Sequence, residues 1–309
     1  MKHHNIIDYG TPDGKIRWAN ESPGIYRGVP PHIYHASPLL SNSKLQKISQ
    51  KCPAAFIHAE QGGFTPSEDM AKGQAFHTLL LEPEVYRRVY EVGGINPTTK
   101  ASFGYDTPSW HKAEAEALAR GKILIRSQWL EPVTGMARAV VEHPDLRPIL
   151  AAGGERELSM IWVDAVTGEK LRGRFDFMSN LKLFLDFKKT QDAGFGFDYS
   201  AAGYGYLEQF AMYHDGWLAL TGESNDGFLV PVEEDAPHCV GTVRFTASGD
   251  NNFEDTGVSL WLHCARNCYR AAIRRVQECR KTGVWPSYDD RSVSVPEWYK
   301  RRHSKEKQS

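Results

Sequence analysis

Residues 169–178 read EKLRGRFDFM and residues 181–190 read LKLFLDFKKT. In both, the side chains alternate with a period of two, as in a strand whose two faces meet different surroundings. In the second segment Lys182, Phe184, Asp186 and Lys188 fall on one face, and Leu181, Leu183, Leu185 and Phe187 on the other. In the first, Arg172, Arg174 and Asp176 share a face opposite Gly173, Phe175 and Phe177. A two-residue turn on Ser179-Asn180 alone would oppose Asp176 to Leu183 and send the aspartates to opposite sides of the sheet. A loop with an odd residue count, or a bulge, opposes Asp176 to Phe184 and Arg174 to Asp186, so that both carboxylates emerge together. That register is the expectation, with about 7–8 Å between the two backbones on the diagonal.

Upstream, ELSMIWVDA (residues 157–165) alternates in the same way, and Thr167-Gly168 marks a hairpin turn into EKLRGRFDFM. Helical spacing predicts a helix over 41–59 that Pro53 breaks in two, and helices over 109–120 and 127–142 with a short strand, 122–125, between them. Thr65-Pro66-Ser67-Glu68 supplies a cap residue, a proline at the first helical position and a glutamate at the third, and predicts a helix running to Glu82 before Pro83. Helical spacing returns over 204–220, strands follow at 227–232 and 239–245, and 255–281 reads as a long amphipathic helix. The sequence thus describes an α/β (α+β) protein with a central mixed sheet and a hairpin flanked by helices. Residues 1–37, rich in Pro, Gly, His and Tyr, read as an extended arm; 38–290 as one large domain; and 291–309 as a basic tail.

At 309 residues the chain is long enough for a sizeable core, and its 41 % hydrophobic and 24 % charged content excludes a disordered or repetitive protein. No apolar run reaches the roughly 18 residues of a membrane span, and MKHHNIIDYG lacks a signal peptide's apolar stretch, so a soluble cytoplasmic protein is expected. Five cysteines, an odd number, fit reduced thiols, with Cys52, Cys264, Cys268 and Cys279 expected as buried ones. Cys264, Cys268 and Cys279, with Cys52 upstream, lack the tight spacing of an iron–sulfur site. No zinc spacing and no Gly-rich phosphate loop is present, which excludes a motor activity in this chain. The net charge of −1 argues against bulk coating of nucleic acid, yet from His263 onward twelve basic residues face five acids.

Two converging carboxylates with a lysine two residues on make a hard-oxygen site for Mg²⁺ or Mn²⁺ with an ammonium beside it, which suits phosphodiester hydrolysis. A lone D-x-K is by itself an ordinary surface ion pair. Four elements occur in order: Gly73-x-x-x-His77, Arg174-x-Asp176, Asp186-Phe187-Lys188, and Gln209-x-x-x-Tyr213. This series resembles RecB-like and RecE-like nucleases of the PD-(D/E)XK superfamily. SNSKLQKISQKCPAAF, KGQAFHTLLLEP, HPDLRPIL and GVWPSY are similar to the RecE-type exonucleases in particular, over about residues 41–288.

The resemblance implies metal ligation by His77, Asp176, Asp186 and the Phe187 carbonyl, with Lys188 as the catalytic ammonium. Gln209 and Tyr213, four apart on one helix face, are then placed to touch substrate phosphate or the ligands themselves. Ser43 and Arg174 resemble positions that hold a DNA terminus, and hydroxyl plus guanidinium suits a 5′-phosphate. The activity implied is 5′ to 3′ digestion of linear double-stranded DNA, in a homo-oligomer, by likeness a tetrameric ring, that supplies 3′ single strands to an annealing protein. A RecB-like single-strand nuclease, an endonuclease and a non-catalytic DNA-end-binding module remain alternatives.

Overall fold

The computed structural model describes residues 5–62, 67–247, 259–289, 294, 295, 297, 299 and 300. The chain begins with β1 (Ile6–Asp8), α1 (Pro12–Ala19), β2 (Gly24–Arg27) and α2 (Pro31–Ala36). Next come α3 (Asn42–Gln50), α4 (Pro53–Gln61), α5 (Glu68–Leu81), α6 (Pro83–Val89), β3 (Tyr90–Val92), α7 (Pro108–Ala119) and β4 (Ile123–Ile125). α8 (Leu130–Glu142) and α9 (Leu146–Ala151) lead into β5 (Gly154–Val163), β6 (Lys170–Ser179) and β7 (Phe184–Thr190). The chain then forms α10 (Phe197–Gly203), α11 (Tyr206–Thr221), β8 (Gly227–Glu233), β9 (Val243–Phe245) and α12 (Leu260–Thr282).

Seven strands form one sheet in the order β1-β2-β5-β6-β7-β8-β9, and β3 pairs with β4 apart from it. β5, β6 and β7 are consecutive antiparallel neighbours. β8 returns parallel to β7 after the helices α10 and α11, as a crossover connection requires. One face of the sheet packs on α3, α11 and α12 through Leu45, Met160, Phe175, Phe184, Trp217 and Ile273. The other packs on α5 and α8 through Phe76, Met136, Val140, Phe177, Leu185 and Phe187.

The first 37 residues are not an extended arm. β1 and β2 join the sheet, with Ile25 opposite Met160, and Tyr26 is fully buried. Thr11 caps α1 by accepting from the Gly14 amide, and a Cβ on Gly14 would lie 2.1 Å from the Asp8 carbonyl oxygen, so the turn from strand to helix needs glycine there. The stretch reads as loop because its strands are three and four residues long, and β2 is tied into the sheet by β5, far along the chain.

α5 is capped by Ser67, which accepts from Met70, and not by Thr65; Thr65 and Pro66 lie outside the described residues. The strand expected over 239–245 contracts to Val243–Phe245, with an isolated bridge from Val240 to Val232. α12 starts at Leu260, while 255–258 and most of the basic tail lie outside the described residues. The five cysteines are free thiols, but Cys264 and Cys268 are exposed and not buried, because they sit on the outer side of α12. Among the described residues no helix is long and apolar enough to cross a membrane.

Candidate active site

Between Ser179 and Leu183, which are still hydrogen-bonded across the hairpin, the connection has three residues, Asn180 to Lys182. Lys182 donates its amide to the Ser179 carbonyl (2.9 Å), Ser179 donates to Leu183 (2.9 Å), and Lys182 takes the left-handed conformation at φ 63°. The resulting pairs are Phe177 with Leu185 and Met178 with Phe184. The expected pairing of Asp176 with Phe184 and Arg174 with Asp186 is therefore displaced by two residues. The loop is odd-numbered, as anticipated, but Leu181 and Lys182 belong to it and not to the strand.

Counting on from these pairs brings Asp176 opposite Asp186, where the ladder has stopped. There the Asp176 carboxylate enters the gap and accepts the Phe187 amide through Oδ2 (2.8 Å). Strand alternation also fails at this point. Phe175 stacks on Phe184 beneath α11, at 4.3 Å between centroids, whereas Phe177, two residues on, joins the core beneath α5 and α8. The aspartates thus meet in an opening between two parting strands, and not simply as neighbours on one face.

α5 brings His77 to this opening. Its Nε2 lies 2.8 Å from the Phe187 carbonyl oxygen and its Nδ1 3.5 Å from Asp176 Oδ2. Lys188 places its ammonium 2.5 Å from Asp186 Oδ2, and Gln209 of α11 donates to Asp186 Oδ1 (3.1 Å) and to the Tyr213 hydroxyl (2.9 Å). Tyr206, one turn earlier, lies under the Lys188 ammonium at 4.8 Å from its ring centroid. His77, Asp176, Asp186, Phe187, Lys188, Gln209 and Tyr213 therefore come together.

One further carboxylate, absent from the sequence reading, joins them. Glu157 of β5 stands opposite Asp176 on β6, and ligand atoms of His77, Glu157 and Asp176 all lie within 4.8 Å of one another. Its φ of 49° is left-handed, and the ladder skips this one pair between Arg156–Phe177 and Leu158–Phe175. Like charges directly across two strands repel. A signal was available: seven residues back from Asp164 and seven forward from Glu169, the pair closing the Thr167-Gly168 turn, are Glu157 and Asp176.

The electrostatics describe acids in want of a cation. Burial, with Asp176 adding to it against the pull of Arg174, pushes Glu157 up to about 8. Burial also pushes Asp186 up to about 6, although Lys188 opposes the rise. Asp186 is 2 % exposed, and its Oδ2 makes no hydrogen bond of regular geometry. Burial alone would lower Lys188, but Asp186 and Asp176 outweigh it and hold the ammonium above its ordinary range. The ring nitrogen of His77 and the carboxylates of Glu157 and Asp176, within 4.8 Å of one another, fit a hard divalent ion, with Asp186 and the Phe187 carbonyl adjoining.

Arg174 lies beside the acids. Its Nη1 is 3.4 Å from Glu157, its Nε donates to Ser159 (2.9 Å), and its Nη2 donates to the Val29 carbonyl (2.7 Å). The guanidinium carbons of Arg172 and Arg174 stand 4.3 and 4.1 Å from the ring centroid of Tyr34 in α2. Arg172 is 3 % exposed with an unpartnered Nη1, and among the described residues no carboxylate pairs with it. Ser43 is exposed at the start of α3, where its hydroxyl meets that of Ser41 at 3.1 Å; no hydrogen bond ties it to the acids.

A mixed sheet whose neighbouring strands part around an aspartate, with Asp-x-Lys on the second and a helix-borne histidine alongside, defines a PD-(D/E)XK-like protein. The chain belongs to the family described as PDDEXK-like domain of unknown function (DUF3799), whose model matches residues 41–292. No curated protein matches the sequence. Among solved structures, a "Putative exonuclease" from Eubacterium rectale is 12 % identical, with a TM-score of 0.57 over 90 % of this chain and 98 % of that one, a likeness of fold. A second, SSO0001, is 17 % identical over 49 % of this chain and 63 % of that one, with a TM-score of 0.27.

Proposed function

We propose that this protein is a metal-dependent exodeoxyribonuclease that digests linear double-stranded DNA from the 5′ end and leaves 3′ single strands. The observation that carries this reading is the convergence of Asp176, Asp186, His77 and the Phe187 carbonyl beside Lys188. Mg²⁺, replaceable by Mn²⁺, is the proposed cofactor, held by those four donors with Glu157 adjoining. When bound, the ion polarises a phosphoryl oxygen and acidifies a water.

The chain's own groups do the rest. Lys188, kept charged by its acidic neighbours, acts as an ammonium and not as a base: it orients the attacking water and offsets charge gathering on the phosphoryl oxygens. Gln209 fixes Asp186, and Tyr213 fixes Gln209, so the carboxylate is held before substrate arrives. Arg174 offers guanidinium to the terminal phosphate, Arg172 backs it from beneath Tyr34, and the Ser43 hydroxyl assists at the rim. Polarity, a tetrameric ring and a single-strand annealing partner are proposed from the likeness to RecE-type enzymes, and a cytoplasmic setting and a DNA-tracking basic tail from the sequence itself.

The test is Mg²⁺-dependent digestion of linear and closed circular duplexes labelled at either end, with Asp186→Ala as control. Loss of linear DNA alone, from the 5′ end and absent in the variant, is expected. Cutting of the circle would replace this reading with an endonuclease, and no cutting with any divalent metal would favour an end-binding module.

A further inference from the structure

The segment that leaves β7, QDAGFGFDYSAAGYG (residues 191–205), holds side chains for which hydrolysis has no use. Phe195 is 98 % exposed, Tyr199 85 % and Tyr204 62 %; the first two are the most exposed aromatic side chains among the described residues. Leaving a ring such as Phe195 in water forgoes the gain of burying it.

The backbone beneath these rings is fixed. Asp192 accepts the Gly194 amide (2.7 Å), the Ala193 amide donates to Glu233 (3.0 Å), and a Cβ on Gly196 would lie 2.1 Å from Asp192 Oδ2. Phe197, 1 % exposed, anchors the same segment in the core against Tyr206. The rings are therefore presented outward by a tethered loop.

Tyr204 also continues from the acids. The Lys188 ammonium lies over Tyr206, and the Tyr204 ring is 5.8 Å from that of Tyr206. The charge pattern decides what the rings meet. Between Lys189 and Arg244 there is no lysine or arginine, and the loop itself carries Asp192 and Asp198. The segment itself supplies no cation to a phosphate backbone, and the Lys188 ammonium beside Tyr206 is already paired with Asp186. Aromatic faces without cations suit bases, and only unpaired bases have a free face, since in a duplex each is stacked on its neighbours.

We propose that Phe195, Tyr199 and Tyr204 form a stacking platform for unpaired bases of DNA beside the candidate active site. The inference rests on the nuclease reading of the adjoining acids. The rings hold single strand or a frayed end, while Arg174, beside Glu157, holds phosphate.

The experiment is photocrosslinking of 5-iododeoxyuridine, which couples to stacked aromatic rings, placed near the end of a single-stranded oligonucleotide. It uses the intact wild-type protein with metal chelated, alongside binding by anisotropy. Crosslinks should map to Phe195, Tyr199 or Tyr204. Phe195→Ala and Tyr199→Ala should each weaken single-strand binding by roughly fivefold or more and change fully paired duplex binding less than twofold. Phe195→Leu should not restore it, because the π face is what matters.

Absent crosslinks with unchanged single-strand affinity would overturn the proposal. So would alanine variants that dissociate an oligomer in sedimentation and leave DNA binding intact, since the rings would then contact a second copy. Crosslinks without any digestion of DNA would sink the nuclease reading and leave the platform standing; digestion without crosslinks would do the reverse.

Discussion

The β5–β6 hairpin carries acids at two places about 23 Å apart, seven residues along a strand, and the groups gathered at the two places are in opposite electrostatic states. At the turn, Asp164 accepts from Thr167 and from Arg270 (3.0 Å), and Asp215 accepts from Arg266 (3.0 Å), Arg270 (3.1 Å) and the Tyr269 hydroxyl (2.6 Å). Burial would raise both acids, but these partners outweigh it and hold them below the usual carboxylate range. Where β6 and β7 part, Glu157 and Asp186 are raised. Charge complete within the chain makes a clamp, whereas charge left in surplus makes a receptor for a cation.

The hardest way to break this comparison is Asp186→Asn. Digestion should fall on the order of 10³-fold, the scale for losing one preorganised transition-state group, while the thermal midpoint stays near wild type. A fall of many degrees would make Asp186 a structural acid after all.

Asp215→Asn should do the opposite. It leaves Arg266 and Arg270 short of their acid, which costs about 3–5 kcal/mol of stability in urea unfolding, with little effect on digestion by the folded fraction. Because the folded-state pKa of Asp215 is depressed, its contribution is present above the unfolded value near 4 and lost as pH falls through the folded one. The difference between wild type and variant should shrink below about pH 4, and a constant difference would show that charge is not its source.

Glu157→Gln sharpens the boundary between the groups. It should raise the Mg²⁺ needed for half-maximal rate by about 10–100-fold at unchanged stability; an unaltered requirement would make Glu157 merely the partner of Arg174. The smallest effect is expected from Ser43→Ala, a loss of roughly two- to tenfold in preference for 5′-phosphate over 5′-hydroxyl ends, the worth of one hydrogen bond. No change would remove Ser43 from the terminus.

Local patterns made much of this legible. Alternation gave β5, β6 and β7, and Asp186-Phe187-Lys188 lay on one short strand whose periodicity needed no partner to read. Misreadings arose where the answer depended on distant residues or on a backbone without a sequence mark. Lys182 adopts the left-handed loop conformation usually given to glycine or asparagine, so the register slipped by two. Glu157 required one hairpin to be laid against the next. Tyr34 and the Val29 carbonyl reach Arg174 from a segment whose strands are too short to announce themselves, and Arg172 looks like any surface arginine until α2 covers it.

The position of β2 has a practical consequence for anyone who trims the chain to its family-matched portion. β2 pairs with Ser159, Met160 and Ile161, the apolar middle of the ten-residue β5. Removing the first 40 residues would bare that stretch of main-chain donors and acceptors along an uncovered sheet margin, the geometry on which strands of separate molecules add to one another. Such a shortened protein is expected to self-associate into aggregates, and it would also lose Tyr34 and the Val29 carbonyl from around Arg174.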